Sequence, residues 1–191
     1  MVNSGCVYEQ TNIAFVSNRF GNSNSAFRLQ NGFVRVANNT YFSGEFTVTA
    51  WVKLNAYLTH QRLIDFGNGE CSDNVLISLS GFDNKIYFHV FYKNTPTVLN
   101  SNAILSLNIW HHVSFTCLGN IMKIYVNGSM VANKTGSISN IVRSVLRQRN
   151  YIGRSNWNSD PHADLDFSDL KIYSKELSDL EIYKDYNSVF L

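Results

Sequence analysis

Proline is nearly missing from this chain: Pro96 and Pro161 are the only two in 191 residues. Both fall in polar stretches, so neither interrupts a predicted strand. Charge is sparse too. Lys, Arg, Asp and Glu supply only 16% of residues and nearly cancel, leaving a formal charge of +2. That excludes a strongly basic nucleic-acid binder. Cysteine is limited to Cys6, Cys71 and Cys117, too few and too odd in number for a disulfide framework; at most one bridge can form. No apolar run approaches the 18 residues of a membrane-spanning helix, so no membrane insertion is expected. Residues 1–10 carry neither the basic start nor the apolar stretch of a signal peptide. The Gly-x-Ser-x-Gly and His-Glu-x-x-His signatures are absent. So are internal repeats and low-complexity linkers.

What is present is apolar residues at 45%, enough for a core in one domain of ordinary size. There are also 24 Asn, 21 Ser and 9 Thr, which make a polar but largely uncharged surface. The dominant hydrophobic period is two, the period of a strand with one face buried. Phe46, Val48, Ala50 and Val52 alternate with Thr47, Thr49, Trp51 and Lys53. Val75, Ile77 and Leu79 follow the same rule, as do Val113, Phe115 and Cys117, and Met122, Ile124 and Val126. Ile86, Phe88 and Val90 form one row, which places Tyr87, His89 and Phe91 together on the opposite face. Turn residues punctuate these runs. The strongest signal is Asn127-Gly128, because both residues tolerate the positive φ of a type I′ hairpin. The fold class is therefore all-β, a sandwich or jelly roll of many short antiparallel strands. One segment differs. Ser178-x-x-Glu181 is a capping box and predicts a short C-terminal helix, Asp179–Tyr186, with Leu180 and Tyr183 on one face.

Six segments in order resemble laminin G-like, concanavalin A-like jelly-roll modules. They are Asn18-Arg19-Phe20-Gly21-Asn22-Ser23, Phe46-Thr47-Val48-Thr49-Ala50-Trp51, Trp110-His111-His112-Val113, Met122-Lys123-Ile124-Tyr125-Val126-Asn127-Gly128, Tyr151-Ile152-Gly153-Arg154-Ser155 and Leu170-Lys171-Ile172-Tyr173-Ser174. The resemblance implies a two-sheet antiparallel sandwich over residues 18–186, with 1–17 as an N-terminal strand or tail and 187–191 as a C-terminal tail. It implies an extracellular or cell-surface binding or adhesion module, whose partner is a glycan or an extracellular protein. Such folds host lectins, adhesion modules and glycosidases alike, so function has to be argued from the site.

An enzyme of the laminarinase type sets Glu-x-Asp-x-x-Glu on one strand, which alternation turns toward the substrate. Glu9, Glu45, Glu70, Glu176 and Glu181 offer no such pair. Asp164, Asp166 and Asp169 mimic the spacing, but the resemblance puts them on the last strand, away from a cleft. No catalysis is expected. His111 and His112 are strand neighbours, point to opposite faces and cannot chelate one metal. The resemblance makes Asp73 a candidate rim calcium ligand, with Asp160 as its loop partner; Ca2+ is the one cofactor to consider. A second family site on the back of the sandwich needs an acid where Ser168 stands.

For sugar binding, aromatic rings supply apolar area at little entropic cost. Trp51, Tyr87, His89, Phe91 and Tyr125 all occupy the non-core parity of their strands, and Trp157 sits in a nearby loop. Together they predict an aromatic ligand face, although the resemblance makes Trp51 a framework residue. The alternative is an adhesion module that binds a protein or a sulfated glycosaminoglycan through its loop rim and an anion-binding cluster of Arg143, Arg147, Arg149 and Arg154, whose planar forks match sulfate and carboxylate. Three Asn-x-Ser/Thr sequons, at Asn38, Asn127 and Asn133, do not exceed the roughly four that chance yields at this composition, so they say nothing about secretion.

Overall fold

The computed structural model describes residues 7–137 and 141–188. Cys6 lies outside them; Cys71 and Cys117 are free thiols. Among the described residues, twelve antiparallel strands precede one helix. They are β1 (Val7–Val16), β2 (Ala26–Val36), β3 (Glu45–Leu54), β4 (Gln61–Gly67), β5 (Val75–Ser80), β6 (Lys85–Tyr92), β7 (Thr95–Ile104), β8 (His111–Leu118), β9 (Ile121–Val126), β10 (Ser129–Thr135), β11 (Arg149–Ile152) and β12 (Ala163–Tyr173), with α1 spanning Asp179–Tyr186. The fold class is the expected all-β jelly-roll sandwich. One layer runs β10-β9-β8-β3-β12-β2 and the other β11-β4-β5-β6-β7. The two layers share one hydrogen-bond ladder. β2 pairs with β12 through its first half and with β11 through Val34, Arg35 and Val36, so one long strand stitches them together. β1 adds along β2.

The core lies between the layers, built by the rows that alternation assigned inward. Phe46, Val48, Ala50 and Val52 of β3 meet Ile77 of β5 and Ile86, Phe88 and Val90 of β6, all fully buried. The Phe88 ring stands 6.0 Å from Phe46 and 5.6 Å from Phe115, edge-on in both cases, the geometry that ring quadrupoles prefer. Asn127 (φ 50°) and Gly128 (φ 77°) close the β9–β10 hairpin in the left-handed region, as expected of a type I′ turn.

Two local expectations change. Pro96 lies inside a strand, β7, opposite Phe91. β7 ends the ladder, and an edge strand tolerates the lost N–H. α1 forms where predicted, with both halves of the capping box present. Its buried residue is Ile182, however, whereas Leu180 and Tyr183 face solvent. Ile182 packs with Tyr125 and Leu177 in a small second core outside the sandwich. β3 is therefore covered on its outer side as well: Thr47 and Thr49 are fully buried, and Thr47 Oγ1 donates to Lys175 O and accepts from Leu177 N.

Candidate functional site

On the outer side of the β4–β5–β6–β7 layer, strand register sets the floor of a shallow site. Arg62 stands opposite Ser78, and Ser78 opposite Tyr87; Asp65 stands opposite Leu76, and Leu76 opposite His89. Tyr87 and His89, two residues apart on β6, stack with ring centroids 5.7 Å apart and planes within 14°. His60 and Phe82 extend the strip. The His60 ring is 4.3 Å from Phe82 and 6.5 Å from Tyr87. Phe82 is largely in solvent, 78% exposed. At the other end the Trp157 ring lies 5.9 Å from Phe91, and the Arg62 guanidinium 5.9 Å from Trp157. The Tyr87 ring lies flat against backbone at Gly81, where a Cβ would stand 2.4 Å from its Cε2 and Cζ atoms.

The polar groups of this face are held in place. Tyr87 donates its hydroxyl proton to Asp83 Oδ1 (3.0 Å). His89 Nε2 meets Asn100 Oδ1 at 3.2 Å, and burial pushes the imidazole pKa down to about 4. At neutral pH His89 is thus uncharged and its Nε2 carries the proton that Asn100 accepts. Arg62 donates from Nη2 to Asp160 (2.9 Å) and lies 3.9 Å from Asp65. Burial lowers the pKa of Arg62, opposed by these two carboxylates. Asp65, fully buried, accepts from Asn74 Nδ2 (2.8 Å), Asn156 N (2.8 Å) and Asn156 Nδ2 (3.0 Å). Burial pushes its carboxyl pKa up, against the pull of Arg62 and these donors. Asp65 thereby ties the loop that carries Trp157 to the floor of β4.

Of the six residues expected to form one aromatic face, Tyr87, His89, Phe91 and Trp157 come together here. Phe91 does not stand free, being only 6% exposed and packed beside Trp157. Tyr125 and Trp51 belong to the other layer. Tyr125 points outward as its parity requires, but α1 covers it, and its hydroxyl donates to Asp179 (2.7 Å). Trp51 stacks on Tyr186 at 5.7 Å and packs against His112 at 5.4 Å.

The expected arginine patch also dissolves. Arg147 is fully buried and donates to the carbonyls of Asp73, Phe42 and Arg143. Arg143 is paired with Asp73 (2.9 Å), Arg154 lies over the Phe33 and Tyr151 rings, and only Arg149 is exposed. The two calcium candidates part company as well. Asp73 is engaged by Arg143 and the Lys93 N–H, and Asp160 by Arg62 at the opposite end of β4. Among the described residues no three His, Cys, Asp or Glu side chains gather into a metal-binding group. His60, Phe82 and Asn100 escaped the sequence reading as site residues, and Arg62 enters it only as an outlying member of the anion alternative. The only available signal was strand parity for Asn100, while the others arrive from turns and a bulged strand.

The aspartates that mimic a glycosidase pattern lie on β12, in the other layer. Asp166 is buried between Arg28 (2.7 Å) and Lys53 (2.7 Å). Burial alone would raise its pKa, but the hydrogen bonds from Arg28, Lys53 and Asn55 outweigh it and hold the carboxylate low.

Comparison with known proteins follows this geometry. No curated protein matches the sequence. Domain 4 of AbnA, a GH43 extracellular arabinanase from Geobacillus stearothermophilus solved with arabinotriose, superposes with a TM-score of 0.72 at 19% identity, over 93% of this chain and 82% of that one. The binding domain of Paraclostridial Mosquitocidal Protein 1 gives 0.70 at 18% identity, over 95% and 47%. The binding domain of botulinum neurotoxin DC, solved in complex with SialylT, gives 0.68 at 17% identity, over 97% and 47%. The chain thus spans about half the length of these toxin domains. At such identities the likeness concerns the fold. Residues 28–183 match the model of one family over most of the chain's length, and the chain belongs to it: the concanavalin A-like lectin/glucanases superfamily.

Proposed function

We propose that this chain is a non-catalytic carbohydrate-binding module of an extracellular protein, and that the outer face of β4–β7 takes the glycan. The observation that carries this reading is the aromatic strip Phe82–His60–Tyr87–His89, continued by Trp157 around Arg62. Sugar rings present apolar C–H faces and a rim of hydroxyls. Flat rings match the former, and a few fixed polar groups match the latter. Arg62–Asp160, His89–Asn100 and Tyr87–Asp83 are three such groups, each already oriented by its partner. The positive charge of Arg62 is balanced by Asp160 and Asp65, so a neutral glycan suits the face better than a polyanion. The neighbour solved with arabinotriose, an arabinanase domain, supports the same class of ligand. The non-catalytic part rests on Asp166, which is occupied by two cations and lies in the opposite layer.

The test is calorimetric titration of arabinotriose and a panel of neutral oligosaccharides into the whole chain. Tyr87→Ala and Trp157→Ala are each expected to weaken binding by about 1 kcal/mol or more, roughly five- to tenfold. Raising salt should change affinity little, since no net charge is engaged. Binding that survives both substitutions, or hydrolysis of the bound sugar, would overturn the proposal.

A further inference from the structure

The opposite layer carries a second set of rings, which the β4–β7 face does not use. Trp51 of β3, Trp110 just before β8, Tyr186 at the end of α1 and Phe20 of the β1–β2 turn line a cavity of about 380 Å³ together with Arg19 and Asn187. Phe20 is 47% exposed, and Trp51 and Trp110 are half-buried. The Arg19 guanidinium lies 4.3 Å from the Phe20 ring and 4.3 Å from the Trp51 ring, and Lys53 Nζ lies 5.3 Å from the Trp110 ring.

Three features argue for a ligand there. First, the arrangement rests on a local departure from regular structure. The β12–β3 register shifts between Ser168 and Lys171, and Asp169 sits in the left-handed region at φ 53°. That bulge brings the Asp169 carboxylate to 2.7 Å from Arg19 Nη1. Bulges re-aim side chains, and non-glycine residues at positive φ cost energy that the surroundings have to supply. Second, Arg19 is already paired with Asp169, while Lys53 shares the single Asp166 carboxylate with Arg28. The Arg19–Asp169 pair therefore offers hydrogen-bonding groups with no net charge of its own. Third, hydrogen-bonding capacity is left over. Among the described residues, the Trp51 and Trp110 indole N–H groups, the Tyr186 hydroxyl and Asp169 Oδ1 carry no hydrogen bond. A cavity of this size lies within the range of small-molecule sites.

We infer that this cavity is a second, independent site for a neutral pyranose ring. The sugar stacks on Trp110 beside the Trp51 edge, and its hydroxyls reach the Arg19–Asp169 pair. The two sites occupy opposite layers, so one chain can engage two glycans at once, which raises avidity on a glycan-coated surface without any new contact. The inference does not require the Tyr87 face to bind sugar.

Its test exploits the three tryptophans of the chain. Trp51 and Trp110 report on the second cavity and Trp157 on the β4–β7 face, so three indole N–H signals in a ¹⁵N–¹H spectrum read both sites separately. Methyl β-glucopyranoside, lactose, arabinotriose and sodium glucuronate are each titrated to about 20 mM, well beyond a millimolar Kd. At least one neutral pyranoside is expected to move the Trp51 and Trp110 signals saturably. Trp110→Ala and Phe20→Ala should each weaken that response about tenfold while any Trp157 response persists. Trp51 is left intact because it props α1. If the Trp51 and Trp110 signals stay still with every neutral sugar, or respond only to glucuronate, the second site is refuted whatever Trp157 does. If they move while Trp157 stays still, the second site stands and the β4–β7 proposal falls.

Discussion

Asp65 is the joint between the floor of the β4–β7 face and the loop bearing Trp157, and Asp65→Ala is the sharpest probe of that reading. The carboxylate accepts three N–H bonds, from Asn74 Nδ2, Asn156 N and Asn156 Nδ2, at full burial. Asn156 Nδ2 keeps the Asp65 and Arg149 carbonyls, and each of the two donors left orphaned, Asn74 Nδ2 and Asn156 N, costs about 1 kcal/mol or more. Arg62 would keep Asp160 but lose its buried counter-charge at 3.9 Å, and breaking one side of a buried ion pair costs about 3–5 kcal/mol. The two contributions overlap, so the expected loss is about 4 kcal/mol rather than their sum. For a chain of this size that lowers Tm by roughly 8–16 °C. Asp65→Asn should lose less, because it keeps the shape and one acceptor oxygen. Urea denaturation followed by fluorescence measures both. Glycan affinity should fall with Asp65→Ala even at temperatures where the variant is folded, because the Trp157 loop is no longer pinned. A loss under about 1 kcal/mol for Asp65→Ala, or full glycan affinity in the folded variant, would refute the reasoning.

Other expectations follow from the same structure. His89 takes a proton near 6.5 when unfolded but only near about 4 when folded. Between those values the unfolded chain binds more protons, so stability should fall by roughly 3 kcal/mol as pH drops through that window. Urea midpoints at successive pH values check this, and His89→Gln should flatten the slope. Ser178→Ala removes the acceptor for Glu181 N and half of the capping box; it should cost about 1 kcal/mol, with early exchange of the α1 amides. Phe88→Ala empties the centre of the aromatic core and should cost about 3–5 kcal/mol by denaturation. Millimolar Ca2+ or a chelator should leave Tm unchanged, since Arg143 and Arg62 already engage Asp73 and Asp160; a calcium-dependent rise would refute this.

Much of the architecture was legible in the alternation. Residues 86–92 show why: Ile86, Phe88 and Val90 are fully buried, while Tyr87 and His89 turn to the other face. Period two states on which side of its own strand a residue stands. The Asn127-Gly128 turn and the Ser178–Glu181 cap were equally readable, because they are decided within four residues. β7 was not, since its polar sequence and Pro96 conceal an edge strand whose pairing with β6 supplies the order.

The same rule could not say what lies across from an outward residue. Tyr87 and Tyr125 obey one parity, yet one opens onto the aromatic strip and the other is sealed beneath Leu177 and Ile182. Arg143 and Arg147 are near in sequence, yet one is held at the surface by Asp73 and the other is swallowed whole. Short-range chemistry along the chain determined strands, turns and the helix cap. Which faces stay open, and which charges keep a free valence, was decided by segments roughly fifty to ninety residues away, such as the Asn156–Trp157 loop over β4 and α1 over β9. Burial is a property of both partners in a contact, and only folding brings the second partner into place.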